Sequence, residues 1–483
     1  MTPCPAAGRP AAESFMKRAR RIAGLVLLAP VLAAAAGPAP VPAADKAAEY
    51  RAVVDRLREN GLAGERAVEF LARIVSAGPR LTGSPQAAAA VEITRRLMEE
   101  LGLSRVHTEP VEVGRWVRGE IAEAAVAASP RRPAAPLAVS ALGGSVATPD
   151  GGLAAQVIEV GSLDEVDALG DRVRGRIVFY NRPMDRRLAE PFAAYGGAAD
   201  QRVGGASRAA RHGAVAVLVR SLTFRTDRHP HTGRLVYEPG TARIPAAAIA
   251  TADADLLSRL LREEKSVTVS LRLDCRDLGR TASANVVGEI TGSEIPEEIV
   301  LLGGHLDSWD LSVGAHDDAA GCAAVLEALA LLRDLGLKPR RTVRAVAFMD
   351  EEFGGTGGRA YAASPLRRGE RHIVAAESDR GGFAPAALAV GGRDGRARDR
   401  IMPYASLFAP FGAASVVPGG GGVDVAPLVE QGAAPAAVLV NAHSYFDLHH
   451  SALDGLEAVQ PRELELQAVI LAALAWILAE EGV

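Results

Sequence analysis

At 483 residues the chain is too long for one simple core, and a prior of roughly 100–200 residues per domain points to two or three domains. With 54 Lys and Arg against 58 Asp and Glu, a net charge of −4 and a pI near 6.3, it lacks the basic excess of a nucleic-acid or anionic-membrane surface. Its 3 cysteines are too few for a thiolate metal site, which leaves a small or neutral partner.

The first 45 residues differ from the rest. Lys17, Arg18, Arg20 and Arg21 precede an apolar run from Ile22 to Ala36, and small residues follow, the tripartite pattern of a secretory signal. The run is shorter than the ~20 residues a membrane-spanning helix needs and ends in Ala, Pro and Gly rather than a basic stop. Cleavage after Ala36 or Ala43 is expected, with Met16 an alternative start. The expected destination is secreted or periplasmic, with an N-terminal anchor as the competing reading. Cys4 would leave with the signal, and Cys275 and Cys322 are expected as free thiols.

Downstream, Tyr50, Val53, Val54 and Leu57 recur at helical spacing, as do Val68, Leu71, Ile74 and Val75, so two amphipathic helices open the chain. A third is expected from Pro85 to Leu101, with Ser84 as N-cap, Pro85 at the first helical position and Gly102 as stop. The stretch Pro130 to Pro136 is expected to sustain neither helix nor strand. Beyond it, 154–160, 176–180, 214–219, 246–250 and 267–273 have strand character, interleaved with helical stretches near 203–212 and 253–262. This predicts a compact α/β insert over 120–282, between two parts of a larger domain at 46–119 and 283–483.

From Asn285 a second α/β pattern begins. Strands are expected at 286–290, 299–302, 343–348, 373–376 and 437–440, with long helices at 320–335 and 464–478. The alternation predicts a mainly parallel mixed sheet with helices on both faces.

Acidic and imidazole side chains cluster just past these strands. His305 and Asp307 follow 299–302, Asp350-Glu351-Glu352 follows 343–348, Glu377-Ser378-Asp379 follows 373–376, and His449-His450 follows 437–440. In open α/β sheets, ligands gather at the carboxyl ends of strands. Imidazole nitrogen and carboxylate oxygen suit zinc, and a two-metal site ~3.5–4 Å across needs one ligand that bridges the ions. The block Gly314-Ala315-His316-Asp317-Asp318-Ala319-Ala320-Gly321 supplies two further carboxylates. Coordination lowers the pKa of water from about 15.7 to about 7 in favourable zinc sites, and a further carboxylate must then accept the proton.

These residues resemble a family. The blocks Gly303–Asp310, Gly314–Gly321, Asp350–Gly355, Glu377–Asp379 and His449–Ser451 are similar to the co-catalytic di-zinc aminopeptidases, most of all the plasma glutamate carboxypeptidase (carboxypeptidase Q) group. Gly78-Pro79-Arg80-Leu81-Thr82-Gly83-Ser84, Pro230–Gly233 and Ile290–Ser293 extend the likeness over nearly the whole chain past the signal.

The resemblance implies the fold of zinc exopeptidases, phosphorylase/hydrolase-like, with 120–282 as a protease-associated lid. It implies two Zn2+, other divalent ions being alternatives. His305 and Asp379 would bind one ion, Glu352 and His450 the other, and Asp317 would bridge them. Glu351 would be the general base, although it and Glu352 could exchange roles. Asp307 would orient the His305 ring. Asp318 would follow a cis peptide. His449 remains an alternative to His450, and His449, Tyr445 and Asp424 are candidate substrate contacts. Gly455, where relatives commonly have Thr, and Asp350, where they commonly have Ala, depart from the pattern and bear on substrate preference.

The implied activity is hydrolysis of dipeptides or short peptides with a free amino terminus by a secreted exopeptidase, with a homodimer as the implied assembly. The rivals are a broader aminopeptidase acting on longer peptides and a non-catalytic, receptor-like module.

Overall fold

The computed structural model describes residues 44–392 and 394–483. The signal expected over residues 1–45, with Met16 and both cleavage positions, lies outside them apart from its last two residues. Helices α1 (Ala44–Gly61), α2 (Arg66–Val75) and α3 (Pro85–Glu100) come first. The Ser84 hydroxyl accepts the Ala87 N–H at 3.0 Å, Pro85 occupies the first turn, and Gly102 follows with φ +63°. Two long helices follow later, α4 (Ala320–Asp334) and α5 (Pro461–Glu481).

The strands are β1 (Ser104–Val117), β2 (Ala122–Val126), β3 (Ala135–Leu137), β4 (Val139–Ala141), β5 (Leu153–Val160), β6 (Ile177–Tyr180), β7 (Ala216–Arg220) and β8 (Ala246–Ile249). They continue with β9 (Thr268–Leu273), β10 (Arg276–Ile290), β11 (Ile295–His305), β12 (Arg341–Phe348), β13 (Arg371–Glu377), β14 (Pro385–Val390), β15 (Val416–Val417) and β16 (Ala434–Val440). They form two eight-stranded sheets, ordered β1-β10-β12-β11-β13-β16-β14-β15 and β3-β2-β9-β5-β6-β7-β8-β4.

In the first sheet β12, β11, β13 and β16 run parallel at the centre, with antiparallel pairings on both sides. This is the mixed α/β class expected from the alternation of elements. The central strands are apolar runs because both faces are covered. Val300 and Leu302 enter the larger core with α4 and α5, whereas Ile299 and Leu301 enter a smaller one with Tyr361 and Leu428. Successive residues of a strand point to opposite faces, so one short segment feeds both cores. Helix α4 is buried from Ala320 to Leu332, which accounts for its apolar character on every side. Its buried acid, Glu327, receives the Arg66 guanidinium at 2.5 and 3.0 Å, and its last residue, Asp334, receives the same guanidinium at 2.6 Å.

Three details differ from the sequence reading. Pro136, expected in a connection, lies in β3, an edge strand where a missing N–H is tolerated. The long strand β1 contains Pro110 and Gly114 and also lies at a sheet edge, where interior strand signals are weak. The chain rejoins the first sheet at Arg276, already paired with Val117, ahead of the boundary expected at 283. Among the described residues no helix is long and apolar enough to cross a membrane.

Candidate active site

The parallel strands β11, β12, β13 and β16 end on the same side, so the segments that leave them converge. His305 is the last residue of β11, Asp350–Glu352 follow β12, Asp379 stands two residues past the end of β13, and His449 and His450 follow the short helix Tyr445–Leu448.

Asp317 stands between two groups of ligand atoms. Its Oδ1 lies 3.2 Å from His305 Nε2, and that nitrogen lies 3.5 Å from Asp379 Oδ1. Its Oδ2 lies 3.2 Å from His450 Nε2, which is 3.1 Å from Glu352 Oε2. His449 Nε2 is more distant from Asp317, at 3.7 Å, and its ring stacks on that of His450 with centroids 3.5 Å apart. Thus His305, Asp379, Asp317, His450 and Glu352 come together, one pair on each oxygen of Asp317.

The donor set suits cations on independent grounds. Among the described residues, Asp317 Oδ2 and Glu352 Oε1 are buried without a hydrogen-bond donor, an expensive state for carboxylate oxygens unless a cation meets them. The tautomers agree. His305 Nδ1 is 3.0 Å from the Asp307 carbonyl oxygen, which can only accept, so Nδ1 carries a proton and Nε2 is the nitrogen left to meet a cation. His450 Nδ1 is related in the same way to the Thr232 carbonyl at 3.4 Å.

Electrostatics follow from this crowding. Burial pulls the His450 pKa down, but Glu352 and Asp317 outweigh it and raise it to about 10. Burial likewise opposes protonation of His305, and Asp317 and Asp379 carry its pKa well above the ordinary value. Burial raises Glu352 to about 7 against the pull of His450. The Glu351 carboxyl is raised well above the usual range, first by burial and then by Asp379, Glu352 and Asp424, although His305 counters.

The local backbone is built for this convergence. Gly314, at φ +56°, has no room for a Cβ, which would stand 2.4 Å from Ser308 Cβ and 2.5 Å from Asp317 O. A Cβ on Gly321 would lie 1.8 Å from Ser378 O, so the loop after Asp317 packs directly on the one before Asp379. The Asp317–Asp318 peptide is cis. Asp318, near His305 and Asp379, has its oxygens engaged by the His305 N–H at 2.9 Å and the Gly321 N–H at 3.2 Å. His450 holds φ +60°, a left-handed conformation that costs a non-glycine residue about 1–3 kcal/mol. The Thr232 N–H braces it by donating to its carbonyl at 2.9 Å.

Asp307 requires a correction. Its main-chain carbonyl, not its carboxylate, meets the His305 ring; the nearer carboxylate oxygen is 3.9 Å from Nδ1. The carboxylate instead accepts the N–H groups of Asp350 at 2.8 Å, Glu351 at 3.2 Å and Glu352 at 3.4 Å, and the Thr82 hydroxyl. Of the candidate substrate contacts, Tyr445 is buried with its ring 5.1 Å from His449. Asp424 is 0% exposed, and neither of its carboxylate oxygens has a hydrogen-bond partner among the described residues.

Several positioning residues escaped the sequence reading. Arg80 is fully buried, and its guanidinium donates to the carbonyls of Leu306, Val313 and Gly314. Asp454 accepts the N–H groups of His316 at 2.7 Å and Asp317 at 3.1 Å. The Gly78–Ser84 block was visible as a resemblance, but nothing local in it pointed to the loop it supports.

The sequence profile of Peptidase family M28 matches residues 285–475. Carboxypeptidase Q of Bos taurus is 37% identical over 421 residues, covering 87% of this chain and 86% of its own. Carboxypeptidase Q of Homo sapiens is 36% identical over the same length. The crystal structure of a Peptidase M28 precursor from Shewanella amazonensis superposes with a TM-score of 0.86 at 36% identity, covering 90% of this chain and 98% of the other. A zinc aminopeptidase from Bacillus subtilis shares the fold, with a TM-score of 0.63 at 19% identity over 86% of this chain and 96% of its own.

Proposed function

This chain belongs to the carboxypeptidase Q group of peptidase family M28, and on that premise we propose that it is an exported di-zinc exopeptidase that hydrolyses dipeptides or short peptides with a free amino terminus. The observation that carries the reading is the two-sided apposition of Asp317, with His305 and Asp379 at one oxygen and His450 and Glu352 at the other.

His305 and Asp379 would hold one ion, His450 and Glu352 the second, and Asp317 would bridge. What bound zinc supplies is Lewis acidity toward the scissile carbonyl and toward the attacking water. The protein supplies the rest. Glu351, not paired with a histidine as Glu352 is, would take the proton from the attacking water and deliver it to the leaving amine. Its raised pKa suits a group that must both accept and return a proton near neutrality. Asp307, through the three N–H groups it accepts, would keep Glu351 and Glu352 on their assigned sides.

The region 120–282 is proposed as a protease-associated lid, supported by the contact of His231 Nδ1 with the His449 carbonyl at 2.7 Å. Such a cover excludes water and limits substrate length. Export rests on the signal pattern, and a homodimer completes the reading, to be checked by sedimentation equilibrium.

The test is hydrolysis of a peptide panel with free and blocked amino termini, with metal content measured on the same preparation. Cleavage confined to free amino termini, with two zinc ions per chain, is expected. Preference for longer peptides favours the broader aminopeptidase, and a metal-free, inactive protein the receptor-like module.

A further inference from the structure

Arg234 is a cation without an assignment. It lies in the segment of the second sheet's domain that crosses the site: the Thr232 N–H meets His450, the Gly143 N–H bonds to the Gly233 carbonyl, and the Leu235 N–H returns to the Gly143 carbonyl. Its guanidinium rests against Gly354, two residues beyond Glu352; a Cβ there would stand 2.5 Å from Nη1. It is partly exposed, and it makes no ion pair or side-chain hydrogen bond with the described residues. Among the charges around it, Asp350 and Glu351 attract it and Arg359 repels it.

Other arginines near the site are committed to hydrogen bonds, apart from Arg380, which packs on an aromatic ring. Arg80 is held by three carbonyls, Arg118 by Asp310 at 2.9 Å, and Arg202 by the Tyr195 hydroxyl at 2.5 Å. Arg359 binds the Gly354 carbonyl and Thr356, and Arg380 lies over the Phe192 ring at 4.4 Å. A guanidinium presents a rigid planar fork of donors that matches a carboxylate bidentately. Left open beside a reaction centre, such a fork is a recognition group.

Substrate chemistry fixes where that group must stand. In a dipeptide the nitrogen that leaves and the terminal carboxylate share one α-carbon. A group that binds the carboxylate must therefore lie close to the residue that protonates the nitrogen, and Arg234 borders the loop that carries Glu351.

We propose that Arg234 binds the free α-carboxylate of the residue on the leaving side of the scissile bond, selecting dipeptides over longer or amidated peptides. The inference rests on the peptidase reading above. A third residue would replace the carboxylate with a neutral amide and continue into the covered side of the cleft.

The test compares dipeptides with their C-terminal amides, all with free amino termini, on the zinc-loaded full chain. Wild type should prefer the acids. Arg234→Ala and Arg234→Gln should raise KM for the acids by about 10- to 100-fold, the scale of a lost charge-assisted pair, with kcat and the amides nearly unchanged. Arg234→Lys should recover part of the preference. Equal losses on acids and amides, as expected if Arg234 only balances Asp350, would overturn the assignment, and so would unchanged kinetics. Melting temperatures within a few degrees of wild type exclude misfolding as the cause. A wild type that cleaves neither series overturns the peptidase reading itself. A wild type active on both, whose acid-to-amide ratio survives the loss of Arg234, overturns only this inference.

Discussion

The carboxylate of Asp307 accepts the main-chain N–H of Glu351 at 3.2 Å, across 44 positions of sequence. The same group takes the N–H of Asp350 at 2.8 Å and that of Glu352 at 3.4 Å, so one buried side chain holds a whole turn. That turn carries the proposed base and a proposed ligand as neighbours, and Asp350 reaches φ +76° to make it. Asp307→Ala should lower kcat/KM by about 10- to 100-fold, as loss of outer partners of metal sites typically does. Asp307→Asn, keeping one acceptor oxygen but placing an NH2 group against backbone donors, should fall between. Steady-state kinetics with metal analysis check this, and an unaffected Asp307→Ala enzyme would remove Asp307 from the site.

Glu351→Gln should reduce kcat by about 10²- to 10⁴-fold, the usual contribution of a positioned general base. Its zinc content should equal that of wild type. Glu352→Gln should instead lose metal, because Glu352 is the carboxylate beside His450 at 3.1 Å. If the metal loss appears in Glu351→Gln, the two roles are exchanged.

Chelation should abolish activity, and added zinc should restore it. Because cations stabilise only the assembled ligand set, saturating zinc should also raise Tm, by about 4 kcal/mol of binding linkage at a thousandfold excess over Kd. Asp317→Ala should erase most of this thermal shift, since both groups of ligand atoms face that carboxylate. A shift of wild-type size in Asp317→Ala would refute a bridging role.

Glu465, buried on α5, reports on the core. It accepts the Ala67 N–H at 2.7 Å, its second oxygen has no donor, and burial raises its pKa to about 8. The unfolded value is about 4.3, so between these pH values the folded state binds the extra proton. Stability must then fall as pH rises from the unfolded value through the folded one. Glu465→Gln keeps an acceptor for Ala67 and removes the titration, so its Tm should gain on wild type as pH rises from about 5 to about 8. Parallel Tm–pH curves for the two proteins would mean that Glu465 is not strained by ionisation.

The central strands were legible because their signal is local. Residues 299–302 are an apolar run, and 343–348 are one apart from Arg344, as a sheet covered on both faces demands, and His305 and Asp350 follow within a few positions. Edge elements were not: β1 carries Pro110 and Gly114, and β3 carries Pro136, residues that an edge tolerates and an interior strand rejects.

Residue order alone brought His305 and Asp307, Asp350–Glu352, Glu377–Asp379 and His449–His450 to the ends of parallel strands, and the family resemblance picked His305, Asp317, Glu352, Asp379 and His450 out as the ligand set. Which atom faces which partner came only with the packed chain. Asp307 holds the turn at 350–352 rather than the His305 ring because three backbone donors converge on its carboxylate. Asp317 faces two ways because Asp454 and the neighbouring loops fix its backbone. Arg234 meets Gly354, 120 positions away, because Thr232 pairs with His450. Such contacts join segments with no shared periodicity. Side-chain direction there is set by donors and steric walls that exist only once these distant segments have packed together.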